Sequence, residues 1–205
     1  MTSISKIIII SFITLSVAGA VFLGASLWKD SRKLPVLGEP GHVAGPFSFV
    51  NQDGKTFTEK DVGGKITIVE YFFTTCPGIC KAMNANLSRV YRQIGGEKDV
   101  VILSHTVDPE DDSVQVLKAY AAKMGVHNGN WQFLTGNKVD LYRAARNDYL
   151  LSVEDVPAAP GSAEDFIHTQ YVALLDPHRR IRGFYDATDS ASTRKMMADL
   201  ELLRE

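Results

Sequence analysis

The chain contains very little cysteine: Cys76 and Cys80 are the only two among 205 residues. Two cysteines cannot form a disulfide framework, and they are too few for a four-cysteine zinc site. Basic residues are not in excess either, because the net charge is −2 and no Lys/Arg cluster occurs, which argues against nucleic-acid binding. The 45% of apolar residues is instead typical of one globular domain with a well-buried core.

Charge is absent from residues 7–28, which contain no Asp, Glu, Lys or Arg. These 22 residues could cross a bilayer core of about 30 Å as a helix. A cleaved secretory signal is the alternative, with residues 18–20 as the cleavage site. Because apolar character continues as far as Trp28, we predict an uncleaved membrane anchor over residues 1–28. Lys and Arg occur on both sides of this segment and leave its orientation open.

The two cysteines share one short phrase, C-P-G-I-C, between an apolar run at residues 66–73 and a helical pattern. If Cys80 lies in the first helical turn, both sulfurs face the same side, with the Cα atoms about 6 Å apart. That spacing suits a disulfide, and it equally suits two thiolates on one metal ion. A helix N-terminus also favours a thiolate. The spacing therefore predicts either a redox couple or a soft-metal site.

The order of elements predicts an α/β sandwich around a central sheet, spanning residues 47–205 and preceded by a Pro- and Gly-rich tether at residues 29–46. Asp108 is the predicted N-cap of the second helix, with Pro109 at its first position. Strands are expected at residues 47–57 (a hairpin), 66–73, 100–107, 131–134, 171–175 and 181–185. Helices are expected at residues 79–94, 108–124, 139–150 and 192–203, and a long loop at residues 153–165.

Histidines and acidic residues supply the other candidate groups. His168 follows the long loop directly and precedes a predicted strand, but its spacing alone does not distinguish it from a surface histidine. Residues 108–112 form an acidic run at a predicted helix start. A favourable interaction with the helix dipole accounts for that run without a functional role.

Residues 71–80 resemble the F-x-x-C-P-x-x-C signature of the Sco/SenC family, the membrane-tethered thioredoxin-like copper proteins of cytochrome c oxidase assembly. Residues 106–111 are similar to the V-D-P-E-x-D stretch of that family. Residues 166–185 are similar to its H-x-x-x-x-x-L-x-D-P segment. The three matches occur in the family's order.

The resemblance implies a thioredoxin-like fold with a central mixed sheet and copper bound by Cys76, Cys80 and His168. It implies that Asp108 lies close to the metal without binding it. The implied partners are a copper-accepting subunit of cytochrome c oxidase and a thiol reductant protein. The family also implies a domain that faces the periplasm or an equivalent extracytoplasmic space.

Two other functions compete with copper delivery. A thiol-disulfide oxidoreductase of the thioredoxin type would carry C-x-x-C, with a proline where this chain has His168-Thr169-Gln170, so we rank it second. A peroxiredoxin would need threonine at position 73, which is Phe73 here. A copper or redox sensor without catalytic activity stays open.

Overall fold

A computed structural model describes residues 15–20, 22, 33–151 and 169–204. The chain divides into two units, Met1–Leu34 and Pro35–Glu205. In the first unit residues 15–20 and 22 are helical, and most of the predicted membrane anchor lies outside the described residues. Over the described ranges, no helix is both long enough and apolar enough to span a bilayer. The predicted anchor therefore stays a prediction.

The second unit contains a seven-stranded sheet and helices on both of its faces. The strands are β1 (Ser48–Asn51), β2 (Thr56–Thr58), β3 (Ile66–Phe72), β4 (Val100–Thr106), β5 (Trp131–Thr135), β6 (Tyr171–Leu175) and β7 (Ile181–Asp186). The helices are α1 (Ile79–Ile94), α2 (Val114–Lys123), α3 (Lys138–Arg143) and α4 (Ser190–Leu202), and a π-helical turn (Ala144–Asp148) continues α3.

The sheet is mixed, as the sequence predicts, with the strand order β2-β1-β5-β4-β3-β6-β7. β3, β4 and β5 are parallel, whereas β1, β2, β6 and β7 join by antiparallel pairing. β3 and β4 pair without a register shift, from Ile66 opposite Val100 to Phe72 opposite Thr106. The carboxyl ends of both strands therefore meet at one edge of the sheet.

Each face of the sheet packs on its own apolar layer. Every residue of β3 is buried, and alternate side chains point to opposite faces: Ile68 and Phe72 into one layer, Val69 and Tyr71 into the other. The first layer is closed by α1, α2 and α4, and the second by α3 and the π-helical turn. The architecture is the predicted α/β sandwich.

The predicted start of the second helix at Asp108 is wrong. Helix α2 begins at Val114, and its N-cap is Ser113, whose hydroxyl oxygen accepts from the backbone N–H of Val116 at 3.4 Å. Residues 108–112 form a turn instead. The physical reason is that Asp112 folds into the interior, where Thr74 and Thr106 donate hydrogen bonds to its carboxylate.

The predicted helix over residues 139–150 is interrupted. Its α-helical part ends at Arg143, and the π-helical turn follows, closed by the N–H of Tyr149 donating to the carbonyl of Ala144 at 2.9 Å. The wider turn lets the Asp148 carboxylate pair with Arg143 at 3.1 Å. These interactions are specific to the folded chain, so helical periodicity does not reveal the interruption.

Part of the predicted tether packs against the second unit. The N–H of Leu37 donates to the carbonyl of Ile181 at 2.9 Å, and the N–H of Ala44 donates to the carbonyl of Arg179 at 3.0 Å. Ala44 is 2% exposed and lies in the same apolar layer as α3. The folded unit thus begins at Pro35 rather than at Phe47, where the sequence analysis starts the domain.

His105 is buried in an aromatic cluster on the face of the sheet that packs against α3. Its ring stacks on Tyr71 at 4.9 Å and meets the edges of Phe49 and Phe47 at 5.4 Å and 6.3 Å. Neither ring nitrogen has a hydrogen-bond partner of good geometry among the described residues. Burial lowers the pKa of His105 from 6.5 to about 3, so the ring is neutral in the folded protein.

Replacing His105 by Phe should remove part of the acid sensitivity of the fold. Between pH 6.5 and 3 the unfolded chain protonates His105 and the folded chain does not. Lowering the pH across this window therefore lowers the free energy of unfolding by up to about 5 kcal/mol. Urea unfolding of the wild type and His105→Phe at several pH values measures the difference. His178→Gln, at an exposed hairpin position, is the control. Equal acid sensitivity of wild type and His105→Phe would contradict the assignment.

Candidate metal and thiol site

The two cysteines lie at the carboxyl edge of the sheet, between the end of β3 and the first turn of α1. The N–H of Cys76 donates to the carbonyl of Phe73 at 3.3 Å, which folds the chain back towards the strand. Cys80 is the second residue of α1, as the spacing predicts. Both side chains are free thiols, 7% and 3% exposed, and the Cys80 thiol donates a hydrogen bond to Cys76.

Cys76 is held in a setting that favours its thiolate. Burial by itself raises the pKa of Cys76, but hydrogen bonds from the Cys80 thiol and from the backbone of Cys80 and Gly78 lower it, with help from the charge of Lys81. The net result is a lowered pKa. The backbone donors belong to the start of α1, where helix N–H groups have no partner within the helix.

Cys80 has the opposite setting. Burial and the hydrogen bond that its thiol donates to Cys76 raise the pKa of Cys80 to about 12. The negative charge of Glu70 adds to this effect, whereas a backbone hydrogen bond from Phe73 opposes it. The surroundings therefore lower the pKa of Cys76 and raise that of Cys80, so Cys76 releases its proton more readily than Cys80.

The turn of residues 108–112 lies at the same edge of the sheet and is bonded to the cysteine turn. Both carboxylate oxygens of Asp112 accept from the N–H of Thr74, at 3.3 and 3.2 Å, and one also accepts from the Thr74 hydroxyl. Thr106 donates its hydroxyl to the same carboxylate at 2.5 Å and accepts from the N–H of Asp108 at 2.9 Å. Asp108, the sequence candidate, is thus linked to the cysteine turn through two side chains.

Asp108 itself is half-buried, and within the described residues its backbone N–H donates to Thr106 while it makes no hydrogen bond to either thiol. Burial raises its pKa, and the neighbouring carboxylates of Asp111 and Asp112 raise it further. Its proposed place beside a metal rests on the family motif and on this chain of hydrogen bonds.

A second carboxyl group is buried in the apolar layer that also holds Cys80. Glu70 is fully buried in β3 and accepts from the hydroxyl of Ser104, which in turn accepts from the indole N–H of Trp131 at 2.7 Å. Its other oxygen has no partner within the described residues. Burial raises the pKa of Glu70 to about 7, although the Ser104 hydrogen bond opposes the shift.

The third predicted ligand, His168, lies outside the described residues, so its role stays a prediction. Within residues 33–151 and 169–204, no group of three His, Cys, Asp or Glu side chains could hold a metal ion. His105 belongs to the aromatic cluster, and the Nε2 of His42 faces the carbonyl of Asp148 at 3.0 Å. No described histidine therefore completes the cysteine pair.

The roles of Asp112 and Glu70 are not predicted from the sequence. Glu70 carried a usable signal, because it is the only charged residue in the otherwise apolar or uncharged run of residues 66–73. A charged group inside a buried strand indicates a specific partner or a shifted pKa. Asp112 gave no comparable signal, since its partner Thr74 lies 38 residues away in the chain.

A family model for SCO1/SenC matches residues 36–204. The chain belongs to the SCO1/SenC family. Among its relatives, the SCO1 protein homolog of Bacillus subtilis is 29% identical over 158 residues, which cover 76% of this chain and 80% of that protein.

Solved structures of the SCO1/SenC family share the fold. BsSco, described as a member of the Sco family of cytochrome c oxidase assembly proteins with a disulfide switch, superposes with a TM-score of 0.69 at 26% identity, covering 84% of this chain and 97% of that one. ScoI of Bradyrhizobium japonicum with copper bound has a TM-score of 0.60 at 26% identity, covering 78% and 98%. The predicted thioredoxin-like fold with a mixed sheet is confirmed.

In this SCO1/SenC chain, Cys76 should react with iodoacetamide faster than Cys80 at neutral pH, because only Cys76 has a lowered pKa. Peptide mass spectrometry after timed alkylation of the reduced protein measures both rates. Cys80→Ala removes the donor to Cys76 and should raise its apparent pKa, whereas Cys80→Ser keeps a donor and should change it less. Faster alkylation of Cys80 would contradict the assignment.

Replacing Glu70 by Gln should flatten the dependence of stability on pH. Folded Glu70 keeps its proton up to about pH 7, but the unfolded side chain loses it near pH 4.5. Raising the pH across this window therefore lowers the free energy of unfolding by up to about 3 kcal/mol. Urea unfolding at pH 5 and pH 8 compares the wild type with Glu70→Gln. Glu110→Gln, at an exposed position, should keep the wild-type slope. An unchanged slope in Glu70→Gln would argue against a protonated Glu70.

Proposed function

We propose that this chain is a membrane-tethered copper chaperone, which binds copper through Cys76, Cys80 and His168 and assists copper-site assembly in cytochrome c oxidase. The observation that carries the proposal is the convergence of two free thiols at the sheet edge, one of which has a lowered pKa. Support for copper comes from relatives whose structures hold it, and support for oxidase assembly comes from the description of BsSco.

The donor set fits monovalent copper. Thiolates are soft ligands that select Cu(I), and an imidazole is a compatible third donor. The lowered pKa of Cys76 favours its thiolate, whereas Cys80 has to release its proton when the metal binds, because its pKa is raised to about 12. Copper affinity should therefore fall in acid, and oxidation of the pair to a disulfide should abolish binding.

Support for His168 comes from its place in the chain. Strand β6 runs antiparallel to β3, with Ala173 opposite Val69, so β6 begins at the edge of the sheet where β3 ends. His168 precedes β6 by three residues in the sequence. That edge also carries the cysteine turn. Asp108 completes the proposed site as a group that lies near the metal without binding it.

The location and partners of the chain belong to the same proposal. The uncharged residues 7–28 would anchor it, and the domain would face the periplasm or an equivalent space. There it would meet a copper-accepting subunit of cytochrome c oxidase and a thiol reductant protein that returns the cysteines to the reduced state.

A thiol-disulfide oxidoreductase is the second candidate, and the unequal cysteines favour it. Cys76 is suited to attack a disulfide sulfur of a target protein, forming a mixed disulfide and releasing the target's other sulfur as a thiolate. Cys80 can then attack the Cys76 sulfur, which forms the Cys76–Cys80 disulfide and releases the second target sulfur. Each turnover oxidises this pair and reduces one target disulfide, with electrons that a thiol reductant protein has to replace.

Anaerobic titration of the reduced full-length chain with Cu(I), in detergent micelles, should reveal one tight equivalent. Cys80→Ser and His168→Ala should each weaken binding about tenfold or more, because each removes one of three donors. A chromophoric chelator that competes for Cu(I) gives the affinities. His178→Ala, a histidine at an exposed position, is the matched control and should bind like the wild type.

Full affinity in His168→Ala would remove this histidine from the site and leave capture by two sulfurs. Rapid reduction of a dithiol substrate's disulfide by the same protein, together with weak copper binding, would favour the oxidoreductase over the chaperone.

A further inference from the structure

Asp112 has a buried side chain, and the hydrogen bonds that its carboxylate accepts come from outside the turn of residues 108–112. It is 1% exposed. Within the described part of the chain no Lys, Arg or His forms an ion pair with it, so its charge depends on hydrogen bonds from Thr74 and Thr106. Hydrogen bonds to a buried charge are stronger than those between neutral groups, and they are costly to remove.

Thr74 donates the larger share of these hydrogen bonds, through both its N–H and its hydroxyl. It follows Phe73 directly, and Phe73 contacts both thiol residues: its carbonyl accepts from the N–H of Cys76 at 3.3 Å, and its backbone donates to the sulfur of Cys80. Hydrogen bonds that hold Thr74 in place therefore also hold the adjacent Phe73, whose backbone is hydrogen-bonded to both cysteines.

The other end of the network is anchored in β4. Thr106 donates to Asp112 at 2.5 Å while its oxygen accepts from the N–H of Asp108 at 2.9 Å. Thr106 is the last residue of β4 and lies opposite Phe72 in the sheet. Asp112 thus links the carboxyl ends of β3 and β4, next to the cysteine turn.

We propose that Asp112 is a positioning residue for the Cys76–Cys80 pair, acting through Thr74 to hold the end of β3 and the turn that carries the two sulfurs. The proposal deepens the proposed function, because it assumes that these thiols are the working groups. It assigns Asp112 no contact with the metal. Asp112 sets how reactive Cys76 is and how readily the pair oxidises.

The test compares Thr74→Val, Thr74→Ser, Asp112→Asn and Asp112→Ala in the reduced full-length chain. Thr74→Val removes a hydroxyl without changing charge, and it should slow alkylation of Cys76 at pH 7 about three- to tenfold, which is the size of one hydrogen bond's contribution to holding the turn. Thr74→Ser keeps the hydroxyl and should restore the wild-type rate. Asp112→Asn and Asp112→Ala should slow alkylation at least as much. Asp111→Asn, at the exposed neighbouring position, should leave it unchanged.

A double-mutant cycle separates positioning from loss of stability. The double variant Thr74→Val/Asp112→Ala should react like Asp112→Ala alone, because both changes break the same link. The equilibrium potential of the pair, measured in glutathione buffers, should shift in the same variants and not in Thr74→Ser. If the Asp112 variants do not fold, Thr74→Val and Thr74→Ser decide alone.

Wild-type alkylation rates and potential in folded Thr74→Val would overturn the proposal, as would additive effects in the cycle. These readouts need no copper, so they stay informative if the wild type fails to bind Cu(I). That failure would instead refute the proposed chaperone function.

Discussion

The candidate site depends on the in-register parallel pairing of β3 with β4. This pairing sets Phe72 opposite Thr106, and the N–H of Val107 closes it by donating to the carbonyl of Phe72 at 2.9 Å. The chain segments that follow the two strands then have to share one edge of the sheet. A slip by one residue would displace Thr74, which follows β3, from Asp112, which follows β4, because adjacent strand residues face opposite sides. The register of a buried pair of strands therefore decides whether the cysteine turn is supported.

The two thiols are made different by their surroundings rather than by their residue type. Cys76 lies at the N-terminus of α1 and accepts hydrogen bonds from backbone N–H groups there, whereas Cys80 is buried in the apolar layer that contains Glu70. Tyr120 belongs to the same environment, since burial first, and then Glu70 and Cys80, raise its pKa. A sheet edge that offers hydrogen bonds on one side and low dielectric on the other gives the two cysteines of a C-x-x-x-C pair different pKa values.

Most of the fold follows from local patterns, and the main errors occur where distant residues compete with them. The apolar run of β3 and the helical spacing of α1 suffice to place both cysteines, because burial and periodicity agree there. The helix predicted from Asp108 fails because the capping preference of an acidic run competes with two threonine hydroxyls, one of them 38 residues distant. The sheet brings those hydroxyls to Asp112, and no local pattern records that approach. The prediction of His168 as a ligand rests on a family motif and not on a local pattern.

The chain of hydrogen bonds from Trp131 through Ser104 to Glu70 gives the domain an internal optical reporter. The sequence contains two tryptophans, Trp28 and Trp131, and Trp131 is the first residue of β5. Its indole N–H donates to the hydroxyl of Ser104, which donates in turn to Glu70, in the apolar layer that also holds Cys80. Because indole emission responds to nearby charge and polarity, the fluorescence of Trp131 should report the ionisation of Glu70.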